Sequence, residues 1–98
     1  MNKSKLLKKN IPIKSIRKNK KLMILNDNNK IIHFGDNSML DFRQHKDKKR
    51  QTSYCLRASG IKDKKNKLTK NNIDSANYWS MRLLWSCDKR NDLNLNLF

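Results

Sequence analysis

Residues 75–86 read Ser-Ala-Asn-Tyr-Trp-Ser-Met-Arg-Leu-Leu-Trp-Ser. As a helix this segment is apolar nearly all round, which calls for burial on more than one side. The rest of the chain is polar and positive. Lys plus Arg number 24 against 8 acids, all of them Asp, for a formal charge of +16. A charge of that size repels itself unless something acidic or closely packed surrounds it. A polar chain of 98 residues has little material for two burying walls. The expectation is a protein held by partners inside an assembly, and not a free enzyme.

The length allows one small domain with arms. Hydrophobic residues make up 36%, below the roughly 45–50% usual for soluble domains, so the core is small. Lys outnumbers Arg by 18 to 6 and Asn is abundant. Lys and Asn share A-rich codons, so an AT-rich genome accounts for part of this bias. The charge acts physically whatever its origin. Cys55 and Cys87, without a secretory signal, read as reduced thiols of an intracellular protein. No apolar stretch follows the basic start as a signal peptide requires, and the apolar runs are far too short to span a membrane.

Residues 1–21 form a basic arm with eight Lys, one Arg and no acid. Pro12 forbids a regular helix there and biases Ile11 to an extended shape. With Ile11, Ile13 and Ile16 as apolar anchors, the arm is expected to be extended and ordered only when docked. Residues 22–88 read as the domain and 89–98 as a tail. Residues 21–25 and 30–34 read as two strands, joined through Asp27, Asn28 and Asn29 as a hairpin. Asn37 or Ser38 is expected to cap a helical turn over residues 39–42. A second helix runs from Asp47 to about Ser59 and ends at Gly60. Residues 62–72 read as a charged loop. Asp74 or Ser75 caps the last helix, which runs to about Cys87. The tail alternates Leu93, Leu95 and Leu97 before Phe98, a period-two pattern suited to a strand added to an edge. The fold class is α+β: a β-hairpin, two or three short helices and an extended basic arm.

In the last helix, Trp79 and Trp85 fall on different stripes. Either both are core, or one faces inward and the other a partner. Tyr78, Trp79, Met81, Arg82 and Trp85 are of the types that anchor interfaces, and with Leu93, Leu95, Leu97 and Phe98 they form the expected protein interface. Base stacking is the weaker use, because the aromatics are not interleaved with Lys. Residues 43–70 hold eleven Lys or Arg and two Asp. Either they are a solvated surface, or they contact phosphates with sequence-blind, salt-dependent affinity. Lys8, Lys9, Lys14, Arg17, Lys18, Lys46, Lys48, Lys49, Arg50 and Arg57 are the expected phosphate contacts. No base-reading signature accompanies them.

Catalytic chemistry finds little support. His33, His45, Cys55 and Cys87 lack the close pairing of a zinc site. A Cys55–His45 nucleophile pair lacks an oxyanion donor and an orienting group. Asp36, Asp41 and Asp47 could gather Mg²⁺ as in a small nuclease, but caps and ion-pair partners are the commoner use of such residues. There is no Gly-rich phosphate loop. No metal, cofactor or catalytic residue is expected, and the chain reads as non-enzymatic.

Several blocks together carry a resemblance: residues 32–36 (Ile-His-Phe-Gly-Asp), 41–50 (Asp-Phe-Arg-Gln-His-Lys-Asp-Lys-Lys-Arg), 54–57 (Tyr-Cys-Leu-Arg) and 75–85. The chain resembles small basic proteins of large DNA viruses, of the phycodnavirus and mimivirus kind, with relatives in some large phages. The likeness spans residues 30–86. Asn66-Lys67, where a Gly-containing turn is usual, and Ile73, where Pro is usual, depart from it. The resemblance implies a viral setting more than an activity: a place in the virion, and in host cytoplasm or nucleus during assembly. The expected role is a minor structural (capsid) protein bridging larger viral subunits and touching packaged genome. The alternative is a sequence-nonspecific nucleic-acid-binding protein in viral genome condensation or transcription.

Overall fold

The computed structural model describes residues 7–89. The α+β class holds, with one strand more than the hairpin. Strands β1 (Ile13–Lys14), β2 (Lys20–Leu25) and β3 (Ile31–Asp36) form an antiparallel sheet in that order. β2 and β3 pair through Leu22 opposite Phe34 and Ile24 opposite Ile32. These apolar residues share one face because side chains alternate along a strand, and that face meets the helices. The turn between them is built from Asn. Asn29 takes the left-handed φ of 60° that closes it, a conformation Asn tolerates better than most side chains.

Residues 7–15 of the basic arm lie against the chain's own sheet. Ile13 stands opposite Met23, and the Asn10 N–H donates to the Leu25 carbonyl at 2.7 Å. The Ser15 hydroxyl lies 2.7 Å from His33 Nδ1, and Leu7 is buried.

Helical segments follow. α1 is a single turn, Phe42–His45, capped by Asp41 in place of the expected Asn37 or Ser38. The Asp41 carboxylate accepts from the Arg43 N–H while Gln44 reaches back to the Asp41 N–H, a complete capping box. α2, Lys48–Ser59, starts at the Asp47 cap and stops at Gly60, as its sequence predicts. The loop after it is partly ordered by a bridge between Lys62 and Leu68 and a 3₁₀ turn at Thr69–Asn71. Asn66 supplies a left-handed residue there, φ 63°. α3, Ala76–Trp79, is capped by Ser75.

The last helix does not continue regularly to Cys87. After Trp79 it widens into a π turn, Ser80–Leu84, in which the Trp85 N–H donates to the Ser80 carbonyl. Ser86 then turns left-handed, φ 51°, and a 3₁₀ turn follows at Cys87–Lys89. The π turn packs on the sheet. Gly35 in β3 has φ 84°, and a Cβ built on it would stand 2.7 Å from Leu84 Cδ1. Leu84 thus fills a gap that glycine leaves in the strand, and the π turn brings it there.

The core comprises Ile24, Phe34, Cys55, Ala58, Trp79, Met81, Leu84, Trp85 and Cys87. It sits between one sheet face and the helices. Cys55 and Cys87 are joined as a disulfide, their Cα atoms 5.7 Å apart and 32 residues apart in sequence. This corrects the expectation of two reduced thiols. Sequence spacing says nothing of the Cα distance that decides whether two cysteines can bond. Among the described residues no helix is long and apolar enough to cross a membrane.

Candidate functional site

Both tryptophans lie within the chain's own core, each 8% exposed. Of the two readings of the tryptophans, the structure has the one in which both are core. The Trp79 indole N–H donates to the Ile73 carbonyl at 2.8 Å. Trp85 stacks on Tyr54, ring centroids 4.1 Å apart and planes 8° off parallel. Its other neighbour is His45, at 5.2 Å. Met81 is fully buried. Tyr78 and Arg82 are half-buried and partner each other, the guanidinium carbon 3.6 Å from the tyrosine ring centre. Such a cation over an aromatic face is attracted by the ring's electron density. Leu93, Leu95, Leu97 and Phe98 lie outside the described residues.

The ten expected phosphate contacts fare differently. Lys8, Lys9, Lys14, Arg17, Lys18, Lys46, Lys48, Lys49, Arg50 and Arg57 are all exposed. Lys21 and Arg43, outside that set, pair with Asp41, and Lys30 pairs with Asp74.

Three of the ten cations gather around one pocket of about 580 Å³, within the range of small-ligand sites. The spacing of Lys49, Arg50, Ser53, Tyr54 and Arg57 along α2 puts all five on one side of that helix, and all five line the pocket. Opposite them, β2 and β3 contribute Lys20, Lys21, Gly35 and Asp36. The floor comes from α3 and the π turn through Ala76, Asn77, Ser80, Leu84 and Trp85. Met39 and Leu40, 58% and 52% exposed, complete the wall with Asp41. The pocket thus combines apolar and aromatic surface with five cations and two carboxylates.

One of those carboxylates is already committed. Asp41 is 2% exposed and accepts from Lys21 Nζ at 2.9 Å and from Arg43 Nε and Nη2 at 3.1 and 3.0 Å. Burial pushes its pKa up. The hydrogen bonds and charges of Arg43 and Lys21 overcome that and hold it below the usual carboxylate value. Asp36 is exposed and also held low, chiefly by the Ser38 hydroxyl and N–H. Burial raises the Tyr54 phenol, so it stays neutral and a hydrogen-bond donor near pH 7.

The residues weighed for catalysis have structural work. Cys55 and Cys87 are consumed by the disulfide, which removes them from both the zinc set and the nucleophile pair. Asp41 and Asp47 are helix caps, and Asp36 closes a turn on Ser38. Among the described residues no three of His, Cys, Asp and Glu gather as metal ligands. His45 ends α1. Its Nδ1 accepts from the Asp47 N–H, while Nε2 is buried without a hydrogen-bond partner among the described residues. The Trp85 ring lies beside it, tilted by 57°.

Sequence reasoning named Lys49, Arg50 and Arg57 but missed Lys20, Lys21, Ser53, Asn77 and Ser80 as their companions. The spacing on α2 was the available signal. The contribution of β2 was not readable, since residues 20 and 57 meet only through the fold. The blocks that carry the viral resemblance, 32–36, 41–50, 54–57 and 75–85, each place residues on the pocket.

No curated protein and no solved structure was found to match this chain. Residues 13–58, from β1 to the end of α2, match DUF5754, a family of unknown function.

Proposed function

We propose that this chain binds nucleic acid through the phosphates, without reading base sequence, as a component of genome condensation or packaging in a large DNA virus. The observation that carries this is the contrast within the expected site residues. All ten expected phosphate contacts are exposed, whereas Trp79, Met81 and Trp85, the strongest candidates for anchoring a protein partner, are buried in the core. Exposed Lys and Arg displace counterions from a phosphate backbone, and this term is indifferent to sequence. The role is binding, without catalysis. A bridging role between virion subunits is the second reading. It draws on the large apolar side chains left exposed, Ile11, Ile16, Met39 and Leu40 among them.

Binding of labelled duplex and single-stranded oligonucleotides of mixed sequence, followed by fluorescence anisotropy across a salt series, tests the proposal. Affinity independent of sequence and falling steeply with salt is expected. For about six phosphate contacts it drops about a thousandfold between 50 and 200 mM salt. Absence of binding to either form at low salt refutes the proposal and leaves the bridging role.

A further inference from the structure

A bare basic surface gives a single strand no advantage, because the duplex carries the denser phosphate charge. This chain has in addition a concavity that a duplex cannot use. The pocket against α2 is about 580 Å³, and its floor holds Leu84 and Trp85 beside the Gly35 backbone. Tyr54, stacked on Trp85, forms part of its wall. The hydroxyls of Ser53 and Ser80 and the amide of Asn77 put polar groups beside that apolar surface. Lys49, Arg50 and Arg57 stand on the same helix face, with Lys20 across from them.

Apolar surface beside Tyr54, a few polar groups, and a border of five cations with the carboxylates of Asp36 and Asp41 fit a planar heterocycle carrying phosphate. Proteins that hold single strands combine these same two elements, a cationic track for the backbone and aromatic surface for the bases. A base within a duplex has its faces stacked and its pairing edge occupied, so only an unstacked base can enter.

We propose that this pocket receives the base of a nucleotide whose phosphate rests on Lys49, Arg50 and Arg57, so that the chain prefers single-stranded nucleic acid to duplex. The proposal rests on the phosphate-binding reading and adds a preference that the reading alone does not predict. The nucleotide has two sources, a residue within a strand or a free mononucleotide.

The test uses the full chain and a short labelled oligothymidylate beside a duplex of equal length, at one fixed low salt concentration. The single strand is expected to bind about tenfold more tightly or better, the gain from one stacked base. Ser53→Phe fills the pocket without changing charge. It is expected to lower single-strand affinity to the duplex level and to leave duplex affinity within about twofold. Thermal melting verifies that the variant is folded. Because a variant can misfold, the wild-type chain supplies an independent readout. Quenching of tryptophan fluorescence, through pocket-lining Trp85, is expected with the single strand and not with the duplex. Equal affinity for both forms, an unchanged preference in folded Ser53→Phe, or no quenching overturns the pocket proposal while leaving phosphate binding intact. No binding of either form overturns both. Thymidine monophosphate that displaces the oligonucleotide supports the free nucleotide as a sufficient ligand, and failure to displace it supports the strand.

Discussion

Asn26 is fully buried and uses all four hydrogen-bonding positions of its amide. Nδ2 donates to the Ile73 carbonyl and to Asp74 at 2.8 and 2.7 Å, and Oδ1 accepts from the N–H groups of Asn28 and Lys30. One side chain therefore shapes the hairpin turn and ties it to the segment entering α3. Asn26→Ala strands several of these groups, and a loss of about 2–3 kcal/mol in chemical denaturation is expected; a loss under about 0.5 kcal/mol contradicts this account. Asp41 gives a pH prediction. Its pKa is lowered on folding, so the unfolded chain binds its proton more readily. Its contribution is complete above the unfolded value, near 4, and is lost as pH falls through the lower folded value. Denaturation midpoints measured from pH 6 down to pH 2 are expected to fall. The gap between wild type and Asp41→Asn, present at neutral pH, is expected to narrow at the acid end. A cap and ion-pair role for Asp41 was legible in the sequence, but its partner Lys21 and the role of Asn26 were not. Asn26 gave no local signal, because its partners Ile73 and Asp74 lie 47 and 48 residues away.

Elements whose ends are set by neighbouring residues were the readable ones. α2 begins at Asp47 and ends at Gly60 as expected, because both boundaries are local chemistry. β2 and β3 follow from apolar runs around an Asp-Asn-Asn turn. α1 was misplaced because Asn37, Ser38 and Asp41 are all competent caps. The choice of Asp41 is reinforced by Lys21, 20 residues earlier. The π turn escaped for the same reason. The gap at Gly35 that Leu84 fills sits in another element. Gly35→Ala is expected to destabilise the fold by about 1–3 kcal/mol, from crowding against Leu84 and an unfavourable positive φ. Leu84→Ala opens a cavity instead and costs about 2–5 kcal/mol. Since the two side chains share one space, the double variant is expected to lose less than the sum. A double-mutant cycle by denaturation checks this, and strict additivity contradicts it.

At the level of the whole molecule, the surprise is covalent. The α+β class and the basic surface could be read from composition and periodicity, but the pairing of Cys55 with Cys87 could not. It joins α2 to the 3₁₀ turn that follows the π turn, and so ties the helix that walls the pocket to the segment leaving its floor. Closing a loop of this length removes unfolded-chain entropy worth about 3–4 kcal/mol. A reductant is expected to lower the denaturation midpoint accordingly, and Cys87→Ser to match the reduced wild type. An unchanged midpoint means the bond contributes nothing to stability. The link also encloses the exposed segment that carries Lys62, Lys64, Lys65 and Lys67. Those lysines are cleavage points for trypsin, yet each lies between the bonded cysteines. A single nick after any of them yields one band on a non-reducing gel and two under reduction. A cut backbone there still leaves one molecule.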